Sequence, residues 1–159
     1  MKKIFLSHFL CTLAGAACSA GYLKKKYDAK HQKESETTEK MQLYFSLLNQ
    51  WLTLKIDGVP LEKYFTDNHI KTIAIYGFGE IGKRFYEEMK KSSVDVLYVV
   101  DQSADTIKDE IPVLKKTDVL EKVDALIVTA TYYFDEIEGE MSEKIDFPII
   151  SLEEVIYGL

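Results

Sequence analysis

The alternation of apolar and polar positions divides the chain into three stretches. From Ile4 to Leu23, 20 residues carry no formal charge. As a helix they would span ~30 Å, the thickness of a bilayer's hydrocarbon core. Residues 24–56 contain no Pro or Gly. They begin polar and charged, then turn apolar at Met41, Tyr44, Phe45, Leu48, Trp51 and Leu52, the 3–4 spacing of an amphipathic helix. Asp57-Gly58 breaks that helix, and Pro60 opens a short one over Leu61–Asn68. From there β-rich apolar runs alternate with helical patterns. Strands are predicted at Lys71–Tyr76, Val94–Val100, Ile111–Leu114, Asp124–Ala130 and Phe147–Leu152. Helices are predicted at Ile81–Lys91, from Thr117 through Val123, and at Tyr132–Lys144, with a terminal turn or helix at Glu153–Tyr157. Near-continuous apolar strands separated by helices imply a parallel sheet covered on both faces. The expected class is therefore α/β: a Rossmann-like parallel sheet of about five strands with helices on both faces, preceded by an N-terminal membrane helix and a helical stalk. The expected boundaries are 1–23 for the anchor, 24–56 for the stalk and 57–159 for the sheet domain.

Charge sharpens this division. The net charge is −6 over 159 residues, but residues 1–33 carry +6 and residues 34–159 carry −12. An acidic body argues against nucleic acid as a partner. Lys2 and Lys3 precede the apolar run, and Lys24, Lys25, Lys26, Lys30 and Lys33 follow it. The positive-inside rule then places the C-terminal side in the cytoplasm, with the protein crossing the cell membrane once through residues 4–23. A cleaved signal peptide and a peripheral or core helix are the other readings of this run. The lysine cluster at 24–26 opposes export. Ala14, Ala17, Cys18 and Gly21 have the small-residue spacing that permits close helix approach. The stalk's apolar stripe can pack on the body, pair with a second copy as a homodimer, or lie on the membrane. Both cysteines, Cys11 and Cys18, lie in the apolar run, so the body has no disulfide framework or Cys-based zinc site.

The chemistry concentrates in a glycine loop. Gly77-Phe78-Gly79-Glu80-Ile81-Gly82 is a G-x-G-x-x-G between a predicted strand and a predicted helix, and the next strand ends at Asp101, 19 residues after Gly82. Gly77 permits the tight turn, Gly79 lets backbone approach a pyrophosphate, and Gly82 lets helix and strand pack closely. The helix N-terminus offers unpaired N–H groups to phosphate. Asp101 can accept both hydroxyls of a ribose and would repel a 2′-phosphate, which favours NAD over NADP. The competing reading is a strand–helix turn in an α/β fold without a ligand. Glu80 stands beside the phosphate position and counts mildly against a dianion. Thr129 and Thr131 end the fourth strand on the same sheet edge and are candidates to touch a sugar.

The segments IAIYGFGEIGKRFYEEM (73–89), YVVDQSAD (98–105), DALIVTATYYFDEI (124–137) and PIISLEEVI (148–156) resemble a bacterial Rossmann-like family. That family includes the nucleotide-sugar-binding N-terminal domains of sugar O-acyltransferases and small domains appended to glycosyltransferases and sugar methyltransferases. The resemblance covers about half the chain. It implies cytoplasmic recognition of nucleotide-linked sugars in surface-polysaccharide synthesis. The acyltransferases' hexapeptide-repeat catalytic domain is absent, and the apolar run is similar to the added anchor of small membrane-tethered relatives.

Catalytic motifs are sparse. Tyr86–Lys90 and Tyr22–Lys26 have the Tyr-x-x-x-Lys spacing of reductases and epimerases but sit in the wrong elements. His8, His31 and His69 precede the sheet without metal-ligand spacing, and no Ser elbow, Walker loop or HExxH occurs. Asp135, Glu136, Glu138 and Glu140 read as a solvated helix face. The expectation is a membrane-tethered domain that binds NAD or a nucleotide-sugar, as an accessory or sensor rather than an enzyme, alone or with a partner glycosyltransferase. Its alternatives are an NAD-dependent oxidoreductase or epimerase with partner-supplied catalytic residues, and a non-binding membrane scaffold.

Overall fold

The computed structural model describes the backbone of residues 2–159 and the side chains of residues 24–28 and 30–159. The chain forms two compact units, residues 1–44 and residues 45–159. Helix α1 runs Lys2–Ile56. In the first unit its described side chains from 24 to 39 are all exposed. Local pairs support the helix there: Lys30 lies 3.6 Å from Glu34, and the Ser35 hydroxyl donates to Glu39 at 3.1 Å. The expected membrane span, residues 4–23, lies outside the residues whose side chains are described. Among the described residues no helix is long and apolar enough to cross a membrane.

The second unit carries the sheet. Its strands are β1 (Thr72–Tyr76), β2 (Asp95–Val100), β3 (Val113–Leu114), β4 (Ala125–Val128) and β5 (Ile149–Ser151), all parallel, in the order β3-β2-β1-β4-β5. The helices are α2 (Glu62–Asp67), α3 (Glu80–Met89), α4 (Phe134–Ser142) and α5 (Leu152–Tyr157), with a 3-10 turn at Thr131–Tyr133 before α4. The step β1-α3-β2 moves one way across the sheet and β4-α4-β5 moves the other. Right-handed crossovers therefore put α3 and α4 on opposite faces.

The pleat sorts the core between those faces. Ala74 and Tyr76 of β1 join Tyr98, Val100, Leu126 and Val128 on one face, under Ile137 and Met141 of α4. Ile73 and Ile75 point to the other. Phe65 of α2 meets Phe85 of α3 with ring centroids 6.1 Å apart, and both rings are fully buried. Asp124 aligns the strand starts: its Oδ2 accepts the N–H groups of Lys71 and Thr72 at 2.9 and 2.8 Å. Those two N–H groups hold its carboxyl below the usual carboxylate range.

Two local expectations change. The segment from Thr117 through Val123 is not a helix. The Asp118 carboxylate accepts the Lys115 N–H at 2.8 Å, closing a turn, and the Tyr98 hydroxyl donates to the Glu121 carbonyl at 2.6 Å. A carbonyl held by the sheet in this way is withdrawn from a helical ladder. The apolar stripe of the stalk also divides. Leu47, Trp51 and Leu54 are buried in the second unit, whereas Phe45, Leu48 and Leu52 are exposed. The Glu88 carboxylate locks the buried side, accepting from Trp51 Nε1 at 2.9 Å, from the Leu61 N–H at 3.2 Å and from Lys55 Nζ at 2.5 Å.

Candidate functional site

The strand order reverses direction at β1, so a crevice opens beyond the carboxyl ends of β1 and β4, the position where open α/β sheets bind ligands. The glycine loop forms one rim. Gly77 has φ +95° and donates its N–H to Val100 of β2 at 2.8 Å. A Cβ on Gly77 would lie 3.0 Å from Thr129 Oγ1. A Cβ on Gly82 would run into the Gly77 carbonyl. Both glycines are therefore required by the protein's own packing. Gly79 differs. It caps α3 at an ordinary φ of −70°, and a Cβ there would meet nothing within 4 Å.

Between the glycines, the ring of Phe78 is buried against Tyr86, with centroids 5.8 Å apart. Ile81 is half-buried in the first turn of α3. The Glu80 side chain is 83% exposed and lies 3.8 Å from Arg84, so its charge is directed along the helix into solvent. The first N–H groups of α3, which begin directly after Gly79, have no acceptor inside the helix.

Asp101 is brought to the loop. Its Oδ2 accepts the Phe78 N–H at 2.7 Å and its Oδ1 accepts the Ser103 N–H at 2.7 Å. Each oxygen keeps a lone pair for a further donor. The two threonines take different roles. Thr129 is buried, and its hydroxyl lies 2.8 Å from the Gly77 carbonyl and 3.2 Å from that of Tyr76, so it fastens β4 to the loop. Thr131 is also buried, and its Oγ1 has no hydrogen-bond partner among the described residues.

The crevice holds about 480 Å³. Its walls include Tyr76, Asp101, Lys116, Tyr133, Glu136 and Glu140. Tyr76, Lys116 and Tyr133 carry no recognisable motif, and only the tertiary fold gathers them, from the end of β1, the segment after β3 and the turn before α4. The Tyr76 side chain is 5% exposed. Burial pushes its phenol above the usual range; Lys116 draws it back, and Glu140, Asp101 and Glu136 push it further up. It therefore stays a neutral hydroxyl at physiological pH. Lys116 Nζ binds Glu140 at 2.7 Å, which raises the lysine and lowers the carboxyl. Three acids against one lysine make these walls suited to hydroxyl and amino donors rather than phosphate. Phosphate is better matched by the N–H groups at the start of α3.

A larger hollow of about 580 Å³ runs along α3 and the β2–β3 connection, past Lys83, Tyr86, Lys90 and Glu110. It lies away from the strand ends and touches the loop only through Phe78. His69 occupies a turn at φ +58° before β1. Among the described residues no group of three or more His, Cys, Asp or Glu is placed to hold a metal ion.

No curated protein and no solved structure matches the chain. The family described as C2185-like, N-terminal, matches residues 69–150, which contain the whole glycine loop, Asp101 and strands β1 to β4. That match covers 82 of the 159 residues, and the chain belongs to the C2185-like, N-terminal family.

Proposed function

We propose that the sheet unit is a nucleotide-binding domain, with NAD or a nucleotide-sugar as its ligand. Gly79 carries this reading. Gly77 and Gly82 have steric reasons inside the protein, but Gly79 has an ordinary φ and open space at its Cβ position. A backbone left bare at the N-terminus of a helix suits the close approach of a pyrophosphate. Asp101 supports the same reading, since it stands at the end of β2 with lone pairs free for a ribose diol. Its charge favours NAD over NADP.

The nucleotide-sugar alternative and a role in surface-polysaccharide metabolism rest on the resemblance to the sugar O-acyltransferase domains. The uncharged run at residues 4–23 and the lysines beyond it support a single-pass anchor with the sheet unit in the cytoplasm. In this reading the protein is a tethered accessory or sensor. A partner glycosyltransferase is one candidate to act on what it holds.

Calorimetry of the full chain with NAD, NADP and UDP-glucose tests the proposal. Heat of binding with NAD or UDP-glucose, lost in Gly79→Val, is the expected result. Absence of heat with every nucleotide would overturn it. Retention of the chain in carbonate-washed membranes tests the anchor, and release to the supernatant would overturn that part.

A further inference from the structure

A row of large apolar side chains on the end of α1 is left uncovered by the sheet unit. Phe45, Leu48, Leu52 and Ile56 are 72%, 45%, 58% and 76% exposed. Their spacing is three and four residues, which aligns them along one side of the helix. The adjoining side, with Leu47, Trp51 and Leu54, is buried. We infer that this row is a self-association surface on which a second copy of the chain docks, its own α1 laid against the first about a two-fold axis.

Charge distribution separates this from an ordinary solvated helix. Ten of the 17 residues from Lys24 to Lys40 are charged. None of the 13 from Gln42 to Leu54 is charged, although much of that stretch is exposed. One margin of the row is Ser46, Asn49 and Thr53, neutral hydrogen-bonding groups; the other carries Lys55, whose charge is met by Glu88 at 2.5 Å. Depletion of charge around a large apolar core is the composition of a protein interface. A helix that lies on lipid carries Lys and Arg free to meet headgroups along its polar margin; here Lys55 and Arg84 are paired with Glu88 and Glu87 of α3, and the acidic sheet unit would be repelled from anionic headgroups.

The area also suits a pair of copies. At these exposures the four side chains offer roughly 450 Å² per copy, taking ~150–250 Å² for a large side chain. Two copies then bury at most roughly 900 Å² of apolar surface, and the polar margins bring the pair to the ~1,000 Å² of a specific interface. The row is its own complement, since a 3–4 ridge on one helix fits the same ridge on another. Beside it a recess of about 290 Å³, lined by Leu48, Trp51, Leu52, Lys55, Arg84 and Glu88, can receive a side chain of the second copy. The Glu88 bonds hold α1 against α3, so the row is presented on a fixed support.

Oxidative cross-linking of the full chain tests this, in a Cys11→Ser, Cys18→Ser background. Leu48→Cys should give a disulfide-linked dimer, because a residue on the two-fold seam meets its own counterpart within disulfide reach. Adding Leu52→Glu should abolish the cross-link while leaving the melting temperature unchanged, since Leu52 is exposed. Lys63→Cys, on the surface of α2, should stay monomeric. No dimer at Leu48→Cys would hand the row to lipid or another protein and overturn the inference. So would a Leu48→Cys dimer that survives Leu52→Glu, or equal cross-linking at Lys63→Cys.

Discussion

Oδ2 of Asp101 accepts the backbone N–H of Phe78 at 2.7 Å, so the acid that ends β2 holds the turn that leaves β1. One carboxylate thus shapes the glycine loop and, with its second oxygen on Ser103, fixes the next connection. Asp101→Ala leaves both N–H groups without this acceptor. The loss of two hydrogen bonds to a charged group should cost about 2–3 kcal/mol of stability, read as a lower urea midpoint. Nucleotide binding should fall as well. A variant with wild-type stability would mean that the loop holds its shape without the acid.

The three glycines should respond differently. Gly82→Ala forces a Cβ into the Gly77 carbonyl and should destabilise by about 3 kcal/mol, as overpacking against backbone does. Gly77→Ala combines a positive φ with a tight contact to Thr129 and should also be costly. Gly79→Val meets open space, so it should cost about 1 kcal/mol or less, from weaker capping. Its effect should appear in ligand affinity instead. Thermal melts of the three variants, set beside calorimetry, separate packing from binding.

Glu88 joins three donors around the end of α1. Glu88→Ala leaves the Trp51 indole N–H and the Leu61 N–H unpaired in a largely enclosed place, at a cost of about 1–3 kcal/mol each. Trp51 is the chain's one tryptophan. Its emission should shift to the red as α1 loosens from α3, ahead of the main unfolding transition. Emission and circular dichroism that still melt together would show that α1 is held by Leu47 and Leu54 alone.

Alkaline pH should weaken the fold. Burial pushes Tyr64 and Tyr98 up to about 12, and the Tyr64 hydroxyl also donates to Glu154 at 2.7 Å. A phenol whose folded value exceeds its unfolded value of about 10 gives stability that is complete below pH 10. That stability is lost as pH rises from about 10 through 12. Denaturant midpoints should therefore fall across that window, and Tyr98→Phe should flatten part of the fall. An unchanged slope in Tyr98→Phe would remove Tyr98 from the account.

Much of the fold was legible because period and punctuation act locally. Apolar runs such as ALIV and TIAIY are short, rich in β-branched residues and bounded by turn signals, which favours a buried strand, and Gly77–Gly82 marks the strand–helix turn. The same local logic misplaced a helix at 117–123, because the Tyr98 hydroxyl that holds Glu121 lies 23 residues away. It also merged two sides of α1 into one stripe, since spacing alone does not say which side the sheet unit covers.

The sequence by itself determined the class of fold, the glycine loop and the acid 19 residues beyond it, since each depends on backbone conformation within a few residues. Only the tertiary structure decided how the candidate groups are used. Thr129 was a candidate to touch a sugar, yet its hydroxyl lies against loop carbonyls that reach it through the β1–β4 pairing. Tyr76, Lys116 and Glu140 have no local motif and meet because three elements converge on one crevice. The distinction between Gly79 and its two neighbours is likewise one of space. Packing across the sheet closes around Gly77 and Gly82 and leaves Gly79 open, and that difference is set by atoms far away along the chain.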